Sequence, residues 1–94
     1  MTEDVLQQAV EKLHAMFDRS DVEIELKKIQ RKMEEAKYNP GDVKPFADCI
    51  LAILLAARSE GFSVADVMQE LHRTASAGLS KRWKRMPDGT YQAI

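Results

Sequence analysis

Cysteine is almost absent. Cys49 is the only one in 94 residues, so no disulfide can close within the chain, and a reducing, cytoplasmic setting is the expectation. Three prolines and four glycines leave little chain for irregular structure. Neither sign of charge dominates: 14 basic and 15 acidic residues give a net charge of −1, which argues against a general nucleic-acid binder. The longest apolar run, from Phe46 to Ala57, holds Asp48 and falls short of the roughly 20 residues that span a bilayer. The acidic start Met1-Thr2-Glu3-Asp4 lacks the basic region of a secretory signal. No glycine-rich phosphate loop, zinc-ligand spacing or serine-hydrolase elbow occurs.

What is present is helical periodicity. A chain of this length makes one domain, residues 1–94, and buries roughly 60–65% of its unfolded surface. Val5, Leu6, Ala9, Val10, Leu13 and Met16 recur at helical spacing and predict a first helix over about 3–17. Ser20 with Glu23 reads as a capping box that opens a second helix over about 21–37, with the stripe Val22, Leu26, Ile29 and Met33. The cluster Tyr38-Asn39-Pro40-Gly41-Asp42 ends it.

A third helix starts near Val43 or Lys44, with Pro45 in its first turn, where the missing donor costs nothing. It is apolar nearly all round and belongs at the centre of a bundle, with Gly61 just past its end. Ser63 and Asp66 open a fourth helix with Val64, Val67, Met68, Leu71 and Ala75 inward. Beyond Gly78 the pattern fades into a basic, aromatic extension, Lys81-Arg82-Trp83-Lys84-Arg85, and no strand is expected. The expected fold class is all-α: a short bundle of about four helices. A small core and a third helix hard to cover from within predict a homo-oligomer.

Two acids stand out. Asp48 lies inside the apolar run, where a carboxylate needs an ion pair, hydrogen bonds or a metal; the plain reading is a pair with a lysine or arginine of a neighbouring helix. Glu25 lies beside the second helix's core stripe, where pairing with Lys28 would equally explain it. Cys49 has no histidine near it in sequence and is not expected to be a nucleophile. His14 and His72 have no partner at ligand spacing.

Phe46-Ala47-Asp48-Cys49-Ile50-Leu51, then Ala56-Ala57-Arg58, Gly61-Phe62-Ser63 and Arg82-Trp83 ahead of Pro87-Asp88-Gly89-Thr90-Tyr91, come in a telling order. In that order they resemble the MazG-like all-α nucleotide pyrophosphohydrolases, the dATP/dGTP diphosphohydrolase branch. The resemblance runs from about Val22 to Ile94. It implies magnesium-dependent hydrolysis of a nucleoside triphosphate to monophosphate and pyrophosphate. It implies Glu25 and Asp48, with Asp21 as a partial substitute, as metal ligands. It also implies Lys81, Arg82, Trp83, Lys84 and Arg85 near the nucleotide.

Two carboxylates of the family's paired motifs are missing: Val22 and Pro45 stand in their places. Ala77 and Gly78 stand near where a Lys and an Asn are usual. Hydrolysis is therefore expected to be weak or lost. The alternative is a non-catalytic helical interaction or regulatory module, of a kind suited to a phage or mobile element. A helix-turn-helix reading over Phe62 to Arg85 is disfavoured because Asp66 and Glu70 would face phosphate. Asp21 is also explained as a first-turn acid favoured by the helix dipole, and Trp83 as the one packed residue of a solvated cluster.

Overall fold

The computed structural model describes residues 2–94 and contains four helices in sequence. They are α1 (Glu3–Met16), α2 (Val22–Tyr38), α3 (Lys44–Ser59) and α4 (Val64–Ser80). A two-stranded antiparallel hairpin, β1 (Trp83–Arg85) and β2 (Tyr91–Ala93), follows them. The chain is a small, mostly helical bundle. Among the described residues no helix is long and apolar enough to cross a membrane.

Each boundary has a local cause. Thr2 caps α1 by accepting a hydrogen bond from the Val5 N–H. At α2 the cap is Asp21, whose carboxylate accepts from the Ile24 N–H at 2.9 Å. The Ser20–Glu23 pairing expected from the sequence is not formed, because Ser20 turns its hydroxyl toward Glu25 instead. Arg19 takes a left-handed conformation in the turn between α1 and α2, φ 61°. Asp42 accepts from the Lys44 N–H at the start of α3, and Pro45 sits buried in the first turn. Gly61, φ 90°, ends α3 in a Schellman arrangement: its N–H donates to the Arg58 carbonyl and that of Phe62 to the Ala57 carbonyl. Ser63 and Asp66 form a complete capping box on α4.

The core joins α1, α3 and α4: Val10, Leu54, Leu55 and Val64 are buried, with Leu6, Leu13, Leu51 and Met68 packed around them. The Gln7 side chain accepts from the Val64 N–H at 2.7 Å, and Arg58 donates to Glu11 at 2.7 Å, tying α1 to α4 and to α3. The most extensive contact is α2 on α3, and α2 packs on no other element. The five residues 39–43 connect α2 to α3, and the cross-contacts Ile29–Cys49 and Lys32–Asp48 run in opposite senses, so the two helices are antiparallel.

The third helix is central but not covered all round by its own chain: Phe46, Ile50 and Ile53 remain exposed. Helix α4 continues two residues past Gly78 to Ser80, and the Trp83 ring packs beside Gly78. The structure corrects one expectation, that the tail has no strand: Trp83 pairs with Ala93, Lys84 with Gln92 and Arg85 with Tyr91. Three-residue strands have too little alternation to be read from sequence. Gly89, at φ 89°, and Asp88, which accepts from both the N–H and the hydroxyl of Thr90, shape the turn.

Candidate functional site

Asp48 stands on α3 one residue before the α2–α3 seam. Lys44, one turn earlier, places its ammonium 3.1 Å from Oδ1, and Lys32 of α2 places its own 3.3 Å from Oδ2. Lys32 also reaches Glu35 at 3.3 Å. The Lys44 hydrogen bond, with that of Lys32 behind it, lowers the Asp48 pKa below the ordinary aspartate value. Glu35 and Asp48 together raise that of Lys32. Both oxygens of Asp48 are thus engaged by cations in a four-residue cluster of alternating charge.

Among the described residues Glu25 is the one buried acidic or basic side chain. It occupies the seam with Ile29, Lys32 and Ala36, at intervals of four, three and four residues. The Ser20 hydroxyl donates to its Oε1 at 2.7 Å, while Oε2 is buried without a hydrogen-bond partner among the described residues. Around it lies a concave corner lined by Phe17, Arg19, Ser20, Lys28 and Arg31. Lys28 lies over the Phe17 ring, 5.9 Å from its centre, rather than against Glu25.

The acids are held apart. Glu25 precedes Lys32, the partner of Asp48, by seven residues, about 10 Å of helix rise. Asp21 lies a further turn away with its carboxylate committed to the helix cap. Among the described residues no three His, Cys, Asp or Glu side chains gather as a metal cluster would. A magnesium site needs oxygens converging at about 2.1 Å in an octahedron. Within the single chain the Asp48 oxygens face two ammonium groups and Glu25 stands about two helical turns away along α2.

The basic segment forms a separate arm. Trp83 Nε1 donates to the Gly78 carbonyl at 2.9 Å and seats the hairpin on the end of α4. Lys81 follows the last turn of α4, and the Arg82 carbonyl accepts from the Ile94 N–H. Lys84 and Arg85 lie on β1, exposed and on opposite faces of the strand. The hairpin packs on none of α1, α2 or α3. Within one chain these five residues do not face Glu25 or Asp48.

The expected lysine or arginine of a neighbouring helix beside Asp48 is Lys32; sequence reasoning did not single out that residue and missed Lys44 and Ser20. Lys44 was findable, since it stands four residues before Asp48 on one helix face. Lys32 was not, because its contact depends on how α2 aligns with α3. No protein-family model, curated protein or solved structure matches this chain.

Proposed function

We propose that this chain is a non-catalytic helical interaction module of MazG-like descent. In this reading the bundle has been kept and its acids have moved from metal binding to ion pairing. Hydrolysis of nucleoside triphosphates is then weak or absent. The descent rests on the order of sequence segments from Phe46 to Tyr91. The loss of chemistry rests on one observation above all: Lys32 and Lys44 occupy both oxygens of Asp48. Val22 and Pro45 offer no oxygen to replace what Asp48 has given up. Loss of precise placement is costly, since an error near 1 Å can lower a rate on the order of 100-fold.

The test is pyrophosphate release from a panel of deoxynucleoside triphosphates with magnesium, comparing the native chain with Asp48→Asn. Equal background from both is the expected result. Robust turnover that Asp48→Asn abolishes would restore the enzyme.

A further inference from the structure

The net charge of −1 conceals a division. Residues 1–80 hold ten basic and fourteen acidic side chains, and residues 81–94 hold four basic and one acidic. The helices therefore stand at −4 and the arm beyond them at +3. The one acid of the arm, Asp88, lies in the hairpin turn, where its Oδ1 accepts from both the N–H and the hydroxyl of Thr90. Lys81, Arg82, Lys84 and Arg85 are exposed, and none has an ion-pair partner among the described residues. An uncompensated surplus of one sign on an exposed arm favours a polyanion, whatever the average over the chain.

The hairpin sorts its side chains between two faces. Residues alternate along each strand, and cross-strand partners share a face. Trp83 and Arg85 therefore stand with Ala93 and Tyr91 on one face. Lys84 and Gln92 stand on the other, joined by Arg82, whose carbonyl accepts from the Ile94 N–H. Trp83 and Tyr91 are diagonal neighbours, about 7–8 Å apart. That is about twice the rise of about 3.4 Å between stacked bases, so each ring can take a base of its own or the two can share one. The indole is already fixed. Its Nε1 donates to the Gly78 carbonyl at 2.9 Å, and its Cζ2 lies 3.5 Å from where a Gly78 Cβ would be. One ring edge thus faces α4, while the side chain stays 49% exposed and that of Tyr91 65%.

We infer that this face binds single-stranded nucleic acid. Bases stack on Trp83 and Tyr91, Arg85 meets phosphate from the same face, and Arg82 and Lys84 meet it around the narrow ribbon. Paired aromatics among cations are what a sequence-tolerant single-strand platform needs, since every base has a ring face and every nucleotide a charge. The cations alone would suit a duplex as well, but stacked base pairs offer no free face to Trp83 and Tyr91. An anionic membrane is disfavoured because the aromatic face carries Arg85 between its rings and no aliphatic side chain larger than Ala93 to enter the acyl boundary. The inference names a partner for the proposed module but rests on the arm alone, so it stands or falls separately from the loss of hydrolysis.

The test titrates the full chain, up to about 200 μM, into an end-labelled oligothymidine of about ten nucleotides with a 5′-hydroxyl, in chelator and about 50 mM salt. Anisotropy of the label reports binding, and Trp83, the only tryptophan, reports stacking through its own emission. Saturable binding with quenched Trp83 emission is expected. Tyr91→Ala should weaken it by about 5- to 100-fold, with the helical circular dichroism signal unchanged. Lys84→Gln should weaken it several-fold and make the dependence of log affinity on log salt shallower by about 0.7. No binding at 200 μM overturns the inference. So does binding that leaves Trp83 emission unchanged and is indifferent to Tyr91→Ala, which would be charge alone. Tighter binding to a duplex or to phosphatidylserine vesicles also overturns it, as does displacement of the strand by an equimolar amount of thymidine triphosphate, which would assign the arm to free nucleotides.

Discussion

Glu25 shows what a single buried carboxylate asks of its surroundings. One oxygen is satisfied by Ser20 and the other by nothing among the described residues, so the residue is held in place without being well accommodated. Ser20→Ala should therefore destabilise the fold by about 1–3 kcal/mol, because it strips the remaining partner from a buried polar side chain. Glu25→Met should be neutral or stabilising, since it removes the charge and the need for a partner together. Urea denaturation of both variants checks the contrast. Equal losses from the two would mean that Glu25 contributes something its hydrogen bonding does not explain. At this scale the sequence was half legible. The anomaly of an acid in an apolar stripe could be read at both Glu25 and Asp48. What resolves the anomaly could not, because Ser20 was assigned to a capping box and Lys32 comes from another helix.

The elements were the most legible level, for physical reasons. Helix ends are local chemistry: the Ser63–Asp66 box, Pro45 in a first turn and Gly61 past a last turn act within a few residues of themselves. Ion pairs between elements are a different matter, and two of them govern how the bundle answers to acid. Asp48 joins α3 to α2 through Lys32, and Glu11 joins α1 to α3 through Arg58. The Lys44 and Lys32 ammonium groups hold the Asp48 carboxyl below its usual range, and the Arg58 guanidinium does the same for Glu11. A lowered pKa means that the unfolded chain binds the proton more readily. The stabilisation therefore stands in full above the ordinary carboxylate range and is lost as pH falls through the lowered values. Thermal midpoints are expected to change little on this account between pH 7 and 5 and to fall below about pH 4. Asp48→Asn should make that fall shallower. A midpoint that rises on acidification would contradict the assignment.

For the whole molecule, the helical class and its order of elements followed from periodicity, while the site did not. The resemblance expected Glu25, Asp48 and the basic tail at one place. The fold puts Glu25 at one end of the α2–α3 seam, Asp48 among lysines further along it, and the tail on an arm beyond α4. Spacing along a chain cannot fix the alignment of two helices, and that alignment decides which charges meet. The same alignment leaves Leu26, Met33, Phe46, Ile50 and Ile53 exposed on the α2–α3 pair.

Under the proposed function Asp48 is held by Lys32 and Lys44 and not by a metal. The most direct measurement is a calorimetric titration of magnesium, and then manganese, into the native chain and Asp48→Asn, with and without a deoxynucleoside triphosphate. No saturable heat that depends on Asp48 is expected, so that the two proteins give matching traces once the nucleotide's own metal binding is subtracted. Stoichiometric, saturable binding to the native chain that Asp48→Asn removes would contradict it.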